Sequence, residues 1–192
     1  SSIACQASNA ALTRVIRVSY SGIRTNDYEV NVTFSIPDQG VVITHYMVLP
    51  EWLDYNNHMN VAYYIATFDL GIDALKAVYG VNPSYIEREQ RSTVALEAHI
   101  TYQSEASLGE QLDVHTRVLD FDTKRTHLYQ EMYRRDVLLA TQETLSISFD
   151  LRARKSCAFD VTIAALHEAQ QALPRPDWVG SSVGIRRKSR SA

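Results

Sequence analysis

The stretch LPEWLDYNNHMNVAYYIATFDLGIDALKAVYG, residues 49 to 80, decides how the rest of the chain is read. Its first part crowds Asp54, Asn56, Asn57, His58 and Asn60 together just after Pro50. Its second part carries Ala62, Ile65, Phe68, Ile72, Leu75 and Tyr79 at intervals of three and four, with Asp69, Asp73 and Lys76 on the wetter side. That is the apolar stripe of a helix. Gly80 suits its C-terminal stop. The spacing predicts a polar loop followed at once by a helix over 60 to 80. Such a loop either caps the helix or lines a site, and the residues alone allow both.

Upstream, VVITHYMVLP (41 to 50) reads as a strand halted by its proline. Downstream, NPSYIEREQ reads as a short second helix or a turn. Four stretches with period two follow, at about 92 to 104, 110 to 121, 125 to 135 and 137 to 152. In the first, Leu96, Ala98, Ile100 and Tyr102 fall on one face and Glu97, His99 and Thr101 on the other. In the last, Leu145, Ile147, Phe149 and Leu151 share a face. Short connections such as SLGEQ and DFDTK predict antiparallel neighbours. ALHEAQQAL (165 to 173) predicts a final helix ended by PRP. One long apolar helix among these strands is buried only if the sheet curls round it. The expected class is α+β, a curled antiparallel sheet of about five strands around a central helix.

Residues 1 to 38 form an N-terminal extension with two alternating runs, RVIRVSYS (14 to 21) and YEVNVTFSI (28 to 36), around the turn residues SGIRTND. A hairpin is expected there, and it needs something to dock on. The main domain is taken as 39 to 192. With 192 residues, 45% hydrophobic, 21% charged and a net charge of −3, the chain has the composition of a soluble globular domain. No apolar run is long enough to span a membrane, and the mild negative charge argues against a nucleic-acid binder. The basic tail RRKSR (186 to 190) is read as a solvated terminus. Cys5 and Cys157 make neither a redox motif nor a disulfide framework, and SSIACQASNAAL lacks the pattern of a signal peptide. A reduced, cytoplasmic setting is expected. His45, His99, His115 and His127 sit in predicted strands without ligand spacing, so neither a metal nor another cofactor is expected.

The order strand, polar loop, helix, four strands resembles the hotdog fold. The loop itself resembles that of acyl-CoA thioesterases of the 4-hydroxybenzoyl-CoA type, W-x-D-x-D-x-x-G-H-x-N-N-x-x-Y. Here EWLDYNNHMNVAYY supplies Trp52, Asp54, Asn56, His58, Asn60 and Tyr64 in that order. Asn56 stands in place of a second acid, no glycine precedes His58, and the loop is two residues shorter. From Val41 to Phe159, with LPEWLDYNNHMN and VALEAHITY, the chain is similar to the narrower group of thioesterases fused to, or encoded beside, L-carnitine dehydrogenase. That group is thought to act on betainyl-CoA.

The resemblance implies an acyl-CoA thioesterase, a homodimer or tetramer with its active site at the subunit interface and a coenzyme A thioester as substrate. It puts Asp54 at the family's acid position, as nucleophile or as base on water. Independently, a helix beginning near Asn60 aims unpaired N–H groups of about Met59 to Val61 at the loop, where they could hold an oxyanion. His58 could bond the thioester carbonyl or hold the loop, Asn60 could cap the helix and touch substrate, and Asn57 is read as loop scaffolding that could also contact substrate. Glu97 is implied to reach the partner's loop across a two-fold axis, or to lend a negative charge beside a quaternary ammonium group. A quaternary ammonium is held by aromatic faces, for which Trp52, Tyr55, Tyr63, Tyr64 and Tyr102 are candidates, or else core and interface residues. Lys124, Arg125, Arg152, Arg154 and Lys155 are candidates for the phosphates of coenzyme A. Hydration of an enoyl thioester and non-catalytic acyl-CoA binding stay open beside hydrolysis. No P-loop and no G-x-S-x-G elbow is present.

Overall fold

The computed structural model describes residues 12–20, 28–36, 41–171, 177, 179–180 and 182–185. The strands are β1 (Leu12–Tyr20), β2 (Tyr28–Ile36), β3 (Val42–Met47), β4 (Arg91–Tyr102), β5 (Gln111–Phe121), β6 (Arg125–Arg134), β7 (Val137–Asp150) and β8 (Lys155–Ser156). The helices are α1 (Val61–Val78), α2 (Pro83–Glu89) and α3 (Val161–Gln171). The strands make one antiparallel sheet in the order β1-β2-β3-β5-β6-β7-β4, with β8 beside β7. The fold is the hotdog: α1 lies against the curled sheet, and Phe68, Leu75, Val114, Leu128 and Met132 close the core between them.

The first two strands pair from Leu12↔Ile36 to Tyr20↔Tyr28, and β2 joins β3 at Thr33↔His45 through Ser35↔Ile43. The hairpin thus adds itself to the edge of β3. The residues of its turn, the basic tail, Cys5 and the PRP segment lie outside the described residues. The last helix begins at Val161, four residues before the expected start. β-branched Val161, Thr162 and Ile163 weaken the helical signal there.

Two expectations change. On α1 the buried residues are Tyr64, Thr67, Phe68, Leu70, Gly71, Ile72, Ala74 and Leu75, while Ala62 is exposed and Ile65 is 48% exposed. The helix is rolled so that its small residues approach the sheet. A Cβ on Gly71 would come within 2.7 Å of Gln130 Nε2 and 2.8 Å of Thr116 Oγ1. Gln130 occupies that space because its amide donates to Phe68 O at 2.7 Å and to Thr116 Oγ1 at 3.0 Å, and its own oxygen accepts from Gln142 at 3.0 Å. A buried amide belt is satisfied only with the helix backbone this close.

On β4, residues 94 to 99 are exposed on both faces, since the strand is an edge of the sheet. The register shifts between Ala95 and Glu97, so Leu96 is the extra residue of a bulge and leaves the expected alternation.

Candidate active site

The loop before α1 is built on itself. A short 3₁₀ turn, Pro50–Trp52, leads into a bridge between Leu53 and Met59. Asp54 N–H donates to His58 O at 2.9 Å, and Asn57 N–H to Asp54 O at 3.1 Å. Asn57 takes φ 63°, a left-handed geometry that asparagine tolerates better than most residues. The Asp54 carboxylate accepts through Oδ1 from Asn56 N–H at 2.7 Å and from His58 N–H at 3.4 Å. It is therefore a loop acceptor, half-buried and held at the base of the turn.

Asn60 is the N-cap of α1: its side chain accepts from Ala62 N–H at 2.9 Å and its carbonyl from Tyr63 N–H, also at 2.9 Å. The amides expected to face a substrate narrow accordingly. Met59 N–H donates to Ala106 O and Asn60 N–H to Trp52 O, both at 2.8 Å. Of the three, Val61 N–H is the one with no acceptor among the described residues, and Val61 is 58% exposed. A single first-turn amide at the positive end of the helix dipole is thus open among the described residues, not a row of three.

His58 bridges to Ser107, and its Nε2 lies 3.2 Å from Glu105 Oε1. Glu105 is a residue that the sequence reading missed. Its only signal is an acid in the polar connection SEASLGE, and nothing in that string says that the connection folds under His58.

Tyr64 and Met59 are corrected. Tyr64 is buried, and its hydroxyl donates to Ser104 O at 3.4 Å and accepts from Ala106 N–H at 3.0 Å. Burial, the largest cause, raises its pKa. Its work is to tie α1 to the connection after β4, because an inward phenol with both roles engaged has little left for a ligand. The Met59 side chain is likewise in the core.

Glu97 is also corrected. It pairs with Leu145, which pairs with His127, and directly opposed residues share a face. The alternate row, Leu128, Gln130 and Met132, is the one beneath α1. Glu97 thus points to the side of the sheet away from the helix and its loop. A second copy joined edge to edge would keep that face.

The aromatic candidates do not form one enclosure. Trp52 stacks on Tyr63 with centroids 5.4 Å apart, Tyr64 meets Tyr102 edge to face at 5.4 Å, and Tyr55 is 94% exposed at the loop tip. Among the cations, Arg125 is held by Asp122 through two bonds, of 2.6 and 2.8 Å. Lys124 and Arg125 sit at the β5–β6 turn, and Arg152, Arg154 and Lys155 just after β7. The pairings Arg125↔Ile147 and Arg91↔Asp150 put all five at the sheet end where β4 starts. The loop meets the other end, after Tyr102. Among the described residues no group of His, Cys, Asp and Glu is arranged to hold a metal ion, and no helix is long and apolar enough to cross a membrane.

With this geometry in view, comparison with known proteins is specific. Residues 48–179 match the model of the thioesterase-like superfamily. A betainyl-CoA thioesterase of Pseudomonas aeruginosa is 34% identical over 72% of this chain and 91% of its own length. The L-carnitine dehydrogenase/betainyl-CoA thioesterase of Ruegeria pomeroyi is 34% identical over 69% of this chain, which spans only 28% of that longer protein. Among solved structures, the Staphylococcus aureus protein SAV2348 in complex with CoA superposes with a TM-score of 0.68 at 27% identity, over 76% of this chain and 96% of its own.

Proposed function

Because the chain belongs to the thioesterase-like superfamily, we propose that it is an acyl-CoA thioesterase in which the loop 53–60 and the first turn of α1 form the reacting site. The observation that carries this reading is the closed turn presenting Asp54 beside a helix start whose Val61 amide is open. Asp54 takes a proton from water as the water oxygen adds to the thioester carbonyl, or its carboxylate adds directly. The oxyanion develops toward Val61 N–H and the positive end of α1. Collapse expels the coenzyme A thiolate, which is protonated; attack by water leaves the free acid at once, whereas direct attack leaves a mixed anhydride on Asp54 that a water then hydrolyses to the free acid and the regenerated carboxylate. Asn60 fixes the helix start, and Glu105 orients His58, whose ring stands by for the carbonyl. Trp52, Tyr55 and Asn57 sit where they could flank the acyl group.

Betainyl-CoA is the substrate of choice, a reading supported by the names of the 34%-identical relatives. A homodimer joined through β4 goes with it: the free edge carries exposed Val94 and Leu96, and Ile65 and Val61 of α1 are exposed as well. Antiparallel pairing of two β4 edges would bring the cation-rich end of one sheet toward the other chain's loop, within reach of the phosphates of coenzyme A. A cytoplasmic location belongs to the same proposal.

The test is thiol release from betainyl-, acetyl- and butyryl-CoA, with crotonyl-CoA monitored for loss of its conjugated double bond. Fastest release from the cationic thioester supports the assignment. Loss of the double bond without thiol release would replace hydrolysis by hydration. Sedimentation of Leu96→Asp reads the interface: a monomer with reduced turnover is expected, and an unchanged oligomer refutes the β4 dimer.

A further inference from the structure

We infer that Arg134 and Glu110 are positioning residues for the reaction: their ion pair holds the two peptide groups on which the reacting loop rests, and so sets the place of His58 and of the Val61 amide. This role rests on loop 53–60 being the reacting site. Neither residue lies in that loop or on α1. Arg134 ends β6, and Glu110 immediately precedes β5.

The two groups are successive peptides of the connection between β4 and β5, the one joining Glu105 to Ala106 and the one joining Ala106 to Ser107. Every polar atom of both is engaged. In the first, Glu105 O accepts from Arg134 Nη1 at 3.3 Å while Ala106 N–H donates to Tyr64 Oη at 3.0 Å. In the second, Ser107 N–H donates to Glu110 Oε2 at 2.9 Å while Ala106 O accepts from Met59 N–H at 2.8 Å. Each peptide is therefore gripped on one edge by the ion pair and on the other by α1 or the reacting loop. Arg134 Nη1 also donates to both oxygens of the Glu110 carboxylate, at 2.8 and 3.0 Å, which joins the two outer grips into one unit. Although burial works to raise it, the Arg134 guanidinium and the Ser107 amide hold the Glu110 carboxyl below the usual carboxylate range.

A peptide plane held on one edge alone can tilt about that edge. Without Arg134, the first plane keeps only Tyr64, and Glu110 loses the group that steadies it for Ser107. Met59 N–H then moves with Ala106 O, one residue before the Asn60 cap and two before Val61. The Glu105 carboxylate, 3.2 Å from His58 Nε2, turns with its own backbone, and the bridge between His58 and Ser107 loosens. Magnitudes separate this role from plain stabilisation. The two side chains are 30% and 28% exposed, and partly solvated pairs add little to stability. A misplacement of about 1 Å in a reacting group, by contrast, can cost ~10²-fold in rate.

The experiment uses the full chain. Arg134→Met removes the guanidinium and keeps the stem; kcat for thiol release from betainyl-CoA should fall by about tenfold, with KM within about twofold of the parent and circular dichroism unchanged. The NMR shifts of the Met59 and Val61 amides and of the His58 ring, read without substrate, should move as well. Arg134→Lys should restore most of both, because a single nitrogen of Arg134 makes all the contacts. Glu110→Gln keeps an acceptor for Ser107 N–H and drops the charge facing Arg134. It should show the same pattern in smaller degree, and it carries the test if Arg134→Met does not fold. Parental kcat in Arg134→Met, a loss confined to KM, or shift changes confined to residues 105 to 110 would overturn the assignment. So would a lysine variant as impaired as the methionine one. If the parent releases no thiol from any acyl-CoA, the proposed function fails, and the shifts decide the positioning role by themselves.

Discussion

The two ends of α1 handle polar groups in opposite ways. At the N-terminal end, Asp54, His58 and Asn60 are half-buried and satisfied locally, by amides two to four residues away or by the adjoining connection. At the C-terminal end, the C-cap Tyr79, Thr126 of β6 and His167 of α3 each have a buried atom with no hydrogen-bond partner among the described residues. The first end is a set of groups still reachable by water, fit to hold charge that develops in a reaction. The second is a cluster of aromatic rings packed round the buried His167. A helix whose dipole is exposed at its start and roofed by rings at its finish can serve chemistry at one end and packing at the other.

The largest effect should come from breaking the charged end. Asp54→Asn keeps an oxygen for the Asn56 and His58 amides, so the loop should survive while thioester turnover falls by about 10²–10⁴-fold. Thiol release with circular dichroism as control checks it, and parental turnover would remove Asp54 from the chemistry.

Next comes the ring-packed end. His167 is ordinarily protonated below about 6.5 when unfolded, and in the fold its pKa is about 4. Between these values the unfolded chain binds the extra proton, so the folded state loses stability as pH falls from about 6.5 to about 4. His167→Phe removes that loss. The drop in unfolding free energy from pH 7 to pH 4 should shrink by up to about 3 kcal/mol. Urea unfolding at both values decides it, and an identical acid limb in the variant would mean that the imidazole is charged in the fold.

A smaller effect tests the middle of the helix, which holds the two ends in register over the sheet. Gly71→Ala should destabilise by about 1–3 kcal/mol, because the added methyl meets Gln130 and Thr116 in a satisfied amide belt. Ala is the better helix former, so a gain in urea midpoint would show that the sheet can retreat. The smallest effect belongs to Glu105→Gln. Glu105 is 67% exposed beside His58, and its loss should alter stability by less than about 1 kcal/mol. A large fall in kcat with KM unchanged would instead promote His58 from loop support to direct contact with the reacting carbonyl.

The order strand, loop, helix and four strands was legible because each signal is local: Pro50, the Asn60 cap, the three-and-four spacing and the period-two runs. The loop was legible as a polar cluster for the same reason. What escaped were relations between elements. Ile65 looked like core, yet the buried row includes Thr67 and Gly71, small residues whose value lies in close approach to Gln130. Glu105 and His167 carried no pattern at all. One becomes notable only when a connection folds under His58, the other when α3 brings it among three rings.

The sequence by itself determined the elements, the place of the loop and the start of α1, since capping and periodicity depend on residues a few positions apart. Tertiary structure alone decided that Glu97 faces away from the helix, because cross-strand register and a bulge at Leu96 set the face. It alone decided which buried atoms go unanswered, because a partner's presence or absence depends on what packs opposite and not on the residue itself.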